Sequence, residues 1–100
     1  MNRRGNDESM GKEDRMKRVL DILTESGYAL PVTAIYRNAK YRGATFERRS
    51  TDNYLEELAE RGYVSKIDPD AFARGEIVEI PLGDQGYWIA TEKASEFDPR

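Results

Sequence analysis

Hydrophobic side chains recur with helical spacing through the first two thirds of the chain. From Asp14 they fall at i, i+3, i+4 and i+7, which predicts a first amphipathic helix ending at Gly27. A second helix is expected to have Pro31 in its first turn, because the N–H that proline lacks would be unpaired there anyway. Gly43 closes this second element. The apolar side of the second helix comprises Val32, Ile35 and Ala39.

A third helix is predicted from Glu47 to Arg61, with Gly62 as its cap. Its buried stripe is expected to hold Thr51, Tyr54, Leu55, Leu58 and Ala59. The charge on the opposite face changes along the helix. The N-terminal part carries Arg48, Arg49 and Asn53, and the C-terminal part carries Glu56, Glu57 and Glu60. Since the helix dipole favours the reverse order, the stability of the helix does not explain this arrangement.

The periodicity changes to two after Gly62, which predicts β-structure. We expect strands at 63–67, 77–80 and 87–90, turns at 68–70 and 83–86, and a final short turn capped by Thr91. The predicted fold class is therefore α+β, with three helices followed by a β-ribbon over residues 13–97. Residues 1–12 have no periodicity and are expected to be a disordered arm, and 98–100 a tail.

The amino-acid composition excludes several classes of functional site. The chain has 100 residues, 35% of them charged, and neither Cys nor His. These absences exclude thiolate metal sites, disulfides and the usual general base. We therefore expect no enzyme activity, no cofactor, no metal and no small-molecule substrate. No apolar run is long enough to span a membrane, so a cytoplasmic protein without a membrane partner is expected.

Charge is distributed unevenly along this acidic chain, whose net charge is −3. Residues 31–50 contain five basic side chains and one acidic side chain, whereas residues 51–100 contain five basic and twelve acidic ones. A phosphate backbone responds to the local field at close range, so the basic segment is a candidate nucleic-acid surface. A chance fluctuation of charge over 20 residues is the alternative explanation.

The order of elements resembles the winged helix-turn-helix family over about residues 14–97. The resemblance is carried by residues 48–64, RRSTDNYLEELAERGYV, and by residues 87–93, YWIATEK. The acidic bias, with eleven Arg to five Lys, and residues 29–51 resemble small repressor-like proteins of haloarchaea and their viruses. The resemblance implies a halophilic, sequence-specific regulator of transcription that binds double-stranded DNA. Because about five phosphate-facing cations are few for a monomer at high salt, we expect a homodimer on a two-fold symmetric site.

Roles for individual residues follow from docking the third helix in the major groove. Arg48 and Arg49 match guanine, and Asn53 matches adenine. Arg74 is expected at the tip of a wing in the minor groove. Contacts to the DNA backbone are expected from Arg37, Lys40, Tyr41, Arg42, Thr45 and Ser50.

Two alternatives remain open at this stage. Arg48 and Arg49 could instead pair with Glu47 and Asp52 on a solvated helix face. The whole domain could also be a protein–protein adaptor that uses Tyr63 or the acidic face of the third helix. If the protein is a dimer, its contact surface is expected on the first helix, at Met16 and Leu20, or at Phe97.

Overall fold

A computed structural model describes residues 11–98. The elements are α1 (Lys12–Ser26), α2 (Val32–Tyr41), α3 (Arg48–Glu60), β1 (Val64–Ile67), α4 (Pro69–Ala73), β2 (Tyr87–Ala90) and a 3-10 turn (Glu92–Glu96). The α+β prediction is confirmed: three main helices pack beside a two-stranded antiparallel sheet. This arrangement is compatible with a winged helix.

The three main helices bury the stripes that their spacing predicts. Met16, Val19, Leu20 and Leu23 of α1 meet Ile35 of α2 and Leu55 and Leu58 of α3 in one core. Thr51 lies in this core with no exposed surface, and its hydroxyl donates to the Glu47 carbonyl at 3.2 Å. A buried hydroxyl without a partner would cost about 1–3 kcal/mol, so this bond allows a polar residue at a core position.

The sheet pairs the strand that follows α3 with a strand near the C-terminal end of the described residues. In β1 and β2, Val64 pairs with Ala90 and Ile67 with Tyr87. Leu30, just before α2, forms an isolated bridge to Trp88 on the other edge of β2. Trp88 is 2% exposed and links the sheet to the helical core.

The turn between α2 and α3 is fixed by backbone geometry. Gly43 has a φ of 96°, a left-handed conformation that side chains other than glycine rarely adopt. The N–H of Gly43 donates to the Lys40 carbonyl, and the N–H of Ala44 donates to the Ala39 carbonyl. These two bonds form the Schellman motif, which ends α2 and turns the chain toward α3.

The segment between β1 and β2 differs from the prediction. Residues 68–70 are not a simple turn, because Asp68 caps the short helix α4, in which Pro69 occupies the first turn. The strand predicted at 77–80 is reduced to one bridge, Ile67 to Glu79, with backbone bonds on either side. The turn expected at 83–86 closes two residues earlier, where the Asp84 N–H donates to the Pro81 carbonyl.

Close approach of this segment to β1 requires glycine at one point. A Cβ on Gly86 would lie 2.5 Å from the Ile80 Cδ1 atom and 2.6 Å from the Ile67 carbonyl oxygen. Both distances are shorter than van der Waals contact allows, so the chain can return over β1 only with glycine here.

Two predictions at the ends of the domain need correction. Lys12 belongs to α1 and its ammonium pairs with Glu57 of α3, so the predicted arm cannot extend to residue 12. Residues 1–10 of that arm, and residues 99–100 of the predicted tail, lie outside the described residues. Thr91 precedes the 3-10 turn but does not cap it, because its hydroxyl donates to the Gly62 carbonyl at 2.7 Å.

Candidate nucleic-acid interface

The start of α3 presents the predicted base-contacting residues to solvent. Arg48, Arg49 and Asn53 are all exposed, while Ser50 is half-buried. In an α-helix of about 100° per residue, Arg49 and Asn53 lie roughly 40° apart on the side opposite Leu55 and Leu58. Arg48 is displaced by about 100° from Arg49 and shares the azimuth of Leu55, so it lies off this face and lines the groove beside the start of α2.

The exposed side of α2 carries the predicted contacts to the DNA backbone. Arg37, Lys40 and Tyr41 are exposed, and the Tyr41 side chain is 92% accessible. They lie opposite Ile35 and Ala39, which are buried. The Lys40 ammonium lies 5.9 Å from the centre of the Tyr36 ring, a cation–π contact that leaves the charge open to solvent.

The described arginines divide into two groups by their intramolecular partners. Within residues 11–98, Arg37, Arg48 and Arg49 make no ion pair or hydrogen bond, and all three lie in α2 or the first turn of α3. The pairing of Arg48 and Arg49 with Glu47 or Asp52, the alternative raised by the sequence, is therefore not observed. The remaining arginines have partners on the protein, among them Arg42, Arg61 and Arg74.

The starts of α2 and α3 differ in the charge that faces the helix dipole: α2 has no acidic group there, whereas the N-cap of α3 is Glu47, a carboxylate. Their N-cap residues, Pro31 and Glu47, make no side-chain cap, and neither helix has an acidic residue in its first turn. By contrast, α1 has Glu13 and Asp14 in its first turn, and α4 has an Asp68 cap. Free N–H groups at a helix start attract anions, so the start of α2 favours phosphate, whereas the Glu47 carboxylate opposes a second anion at the start of α3.

A shallow groove, here called the helix-start groove, brings these two helix ends beside the sheet. Its volume is about 390 Å³. The helical side is lined by Pro31, Val32, Thr33, Arg48 and Asp52, and the other side by Lys66, Pro69, Gln85, Gly86, Tyr87 and Trp88. The Lys66 ammonium donates to the Leu82 carbonyl at 2.8 Å and lies 5.1 Å from the centre of the Trp88 ring. The groove therefore has a basic side chain at each wall, with the Asp52 carboxylate beside Arg48 on the helical side.

Three of the residues predicted to contact DNA, Arg42, Thr45 and Arg74, interact with other groups of the protein. The Arg42 guanidinium reaches back to α1 and pairs with the Glu25 carboxylate at 2.8 Å. Thr45 is exposed but has an interaction within the protein. Arg74 is not at the tip of an extended wing: it follows α4 and its guanidinium lies 3.6 Å from the Glu76 carboxylate.

The far end of α3 is occupied by an ion-pair network that the sequence analysis did not predict. The two terminal guanidinium nitrogens of Arg61, Nη1 and Nη2, donate to the Glu13 carboxylate at 2.7 and 2.8 Å. Nη2 also donates to the Glu57 carboxylate. The Lys12 ammonium lies 2.5 Å from Glu57. The i, i+4 spacing of Glu57 and Arg61 was the only sequence signal, since the partners in α1 are 44 or more residues away.

This network shifts the pKa of each of its three main members. Hydrogen bonds from Arg61 hold the pKa of Glu13 below its ordinary value. Hydrogen bonds from Lys12 and then Arg61 lower the pKa of Glu57. The same contacts, first with Glu13, raise the pKa of Arg61 above its usual range. The network consequently joins the start of α1 to the end of α3 at neutral pH.

Several residues proposed for contact with partners are buried within the protein. Met16 and Leu20 are 0% and 2% exposed, and Phe97 is 7% exposed, so none of them can form a dimer surface. The Tyr63 ring packs edge-to-face on Phe97, with the Lys93 ammonium 5.3 Å from its centre. Tyr63 is therefore poorly placed for an adaptor partner.

The rest of the described surface gives less support for a binding site. A larger groove of about 510 Å³ lies between α1 and the end of the sheet, but its charged pair, Lys17 and Asp21, is satisfied internally at 2.6 Å. Among residues 11–98, no three carboxylates lie close enough together to hold a metal ion. No helix in this described part of the chain is both long and apolar enough to cross a bilayer.

The geometry of the α2–α3 surface is thus the main guide to function. Comparisons of the chain with protein-family models, with curated proteins and with solved structures gave no match.

Proposed function

We propose that this protein is a winged helix-turn-helix regulator, a repressor of transcription, that binds double-stranded DNA in a sequence-specific manner. The observation that carries the proposal is the grouping of Arg37, Arg48 and Arg49. Within residues 11–98 these arginines have no intramolecular partner, although the protein is acidic overall. Free guanidinium groups on one pair of helices are suited to phosphates and to the acceptor edge of guanine.

The helix α3 enters the major groove with its first turns nearest the bases. Arg48 and Arg49 donate to the O6 and N7 acceptors of guanine, and Asn53 pairs with the N6 and N7 edge of adenine. Each good bidentate contact contributes about 1–3 kcal/mol of discrimination. The N-terminal turn of α2, which has no acidic group, faces a phosphate that flanks the groove.

The exposed side of α2 sets the position of the protein on the DNA backbone. Arg37 and Lys40 neutralise phosphates, and the hydroxyl of Tyr41 donates to a phosphate oxygen. Two neutralised phosphates give a slope of roughly −2 in a plot of log affinity against log salt, and two copies give roughly −4. So few contacts favour a homodimer on a two-fold symmetric site.

Selection from random duplex DNA at two salt concentrations tests this function. We expect an enriched sequence that contains guanine in each half-site, with affinity that falls as salt rises. Fluorescence anisotropy on the enriched duplex then gives the salt slope, and analytical ultracentrifugation of the complex gives the number of bound copies. The absence of both enrichment and salt-dependent binding would refute the proposal.

A second candidate function is a protein–protein adaptor. The observation in its favour is the acidic end of α3, where Glu56 and Glu60 are exposed and have no ion-pair partner within residues 11–98. A basic peptide could bind there. This function predicts no affinity for duplex DNA, so the selection experiment separates the two candidates.

A further inference from the structure

The exposed side chains of α3 form one row along the helix, which extends past the residues predicted to contact bases. Arg49, Asn53, Glu56 and Glu60 are all exposed and follow one another at intervals of four, three and four residues. At about 100° and 1.5 Å per residue, Glu56 lies roughly 20° in azimuth from Arg49 and about 10 Å further along the helix. Glu56 therefore faces the same way as the residues proposed to read bases.

The Glu56 carboxylate has no ionic partner in the described part of the chain. Its neighbour Glu57 is held by Lys12 and Arg61, whereas Glu56 makes no ion pair or hydrogen bond among residues 11–98. The two carboxylates thus differ in role although they are adjacent in sequence. Glu57 ties α3 to α1, and Glu56 points into solvent on the face that carries Arg49.

A carboxylate on this face distinguishes bases by the hydrogen bonds it can make. It only accepts hydrogen bonds, so it matches an exocyclic amino group, of which cytosine N4 is the usual partner. Guanine O6 and N7 and thymine O4 are acceptors, and they repel a carboxylate held at the groove floor. Discrimination then comes from unfavourable contacts with the wrong bases as well as a favourable contact with the right one.

Distance along the helix separates Glu56 from Glu60. The major groove is about 12 Å wide, and Glu56 lies about 10 Å beyond Arg49 along the axis of the helix. Glu60 lies roughly 16 Å beyond Arg49, which exceeds that width. When the axis of α3 lies across the groove, from one phosphate wall toward the other, Glu56 still meets base edges and Glu60 lies outside the groove.

We propose that Glu56 is a specificity residue that selects cytosine at one position of the site, next to the base contacted by Asn53. This inference rests on the proposed DNA-binding function. It adds to that function a residue that lowers affinity for most sequences while it sharpens the choice among them.

Glu56→Gln and Glu60→Gln are a matched pair for the test, because both remove one negative charge from the exposed face of α3. Selection from random duplex DNA is repeated with each variant, and Kd is measured for four duplexes that differ only at the position assigned to Glu56. For the wild type and Glu60→Gln, we expect cytosine to be preferred over guanine and thymine by about tenfold. For Glu56→Gln, we expect this preference to fall below about threefold, because an amide both donates and accepts.

The experiment distinguishes failure of the role of Glu56 from failure of the proposed DNA-binding function. Equal gains in affinity for all four duplexes in both variants, or an unchanged preference in Glu56→Gln, would overturn the role of Glu56. A wild-type protein that binds no duplex DNA would instead refute the proposed function itself. Circular dichroism of each variant confirms that α3 is intact.

Discussion

Removal of the Arg61 guanidinium should weaken the attachment of α1 to α3. The Arg61→Gln variant loses two hydrogen bonds to Glu13 and one to Glu57, while it retains a side chain of similar polarity. These side chains are about one-third exposed, at 36%, 30% and 27% for Arg61, Glu13 and Glu57. Solvent therefore screens the charges, and their interaction is much weaker than that of a buried pair.

The exposure of these side chains sets the size of the expected loss in the free energy of unfolding. An exposed pair contributes about 0.2–1 kcal/mol, and a bidentate arginine in a network of two carboxylates lies at the upper end of that range. Arg61→Gln removes two such pairs, so we expect the free energy of unfolding to fall by about 1–2 kcal/mol at pH 7. For a domain of this size, each kcal/mol lowers Tm by about 4–8 °C.

The effect should depend on pH with a definite sign. Arg61 lowers the pKa of Glu13 and contributes to the lowered pKa of Glu57 in the folded protein. The stabilisation is therefore fully present above the ordinary carboxyl pKa near 4.5, and it is lost as pH falls through the lowered values. The difference in Tm between the wild type and Arg61→Gln should be largest near neutral pH and should vanish in acid.

Thermal unfolding followed by circular dichroism from pH 7 to pH 2.5 measures this difference. Arg37→Gln is the matched control, because Arg37 is exposed and has no partner within residues 11–98. Its Tm should follow that of the wild type at every pH. An Arg61→Gln variant as stable as the wild type at pH 7, or a difference that persists unchanged at pH 2.5, would refute this reasoning.

Two further predictions concern α2 and the turn that follows it. Arg37→Ala should weaken binding to all duplex sequences alike and reduce the salt slope by about one unit per copy, as measured by anisotropy at several salt concentrations; a sequence-dependent loss would contradict its role on the backbone. Gly43→Ala should destabilise the protein by about 1–2 kcal/mol in urea denaturation, because alanine is strained at a φ of 96°. Gly83→Ala is the control, since Gly83 has no positive φ and no atom within 4 Å of an added Cβ; equal stability losses in the two variants would contradict this account.

The helical part of the fold was predictable because its signals are local. The spacing of Leu55 and Leu58, the proline before α2 and the glycines after α2 and α3 identified the three helices to within about two residues. Exposure of Arg49 followed from the same periodicity. Four members of the predicted buried stripe of α3, Thr51, Tyr54, Leu55 and Leu58, are buried, whereas the fifth, Ala59, is half-buried.

Long-range contacts account for what the sequence did not reveal. The pairing of Arg42 with Glu25 and of Arg61 with Glu13 joins residues far apart in the chain, so no pattern of spacing predicts it. The interpretation of Met16 and Leu20 as a dimer surface was wrong because α3 and the sheet cover α1. The strand expected at 77–80 is reduced to one bridge because β1 ends at Ile67 and Pro69, which would face Ile77 in this antiparallel register, begins α4.

The most direct test of the central claim is the affinity of an Arg48→Ala/Arg49→Ala variant for the enriched duplex and for an unrelated duplex of equal length. Lys17→Ala/Lys93→Ala is the control, because it removes the same charge from residues outside α2 and α3. If Arg48 and Arg49 read bases, their removal should weaken binding to the enriched duplex by at least about 30-fold, and to the unrelated duplex much less. An equal loss on both duplexes, or a loss no greater than that of the control, would contradict base recognition by the start of α3.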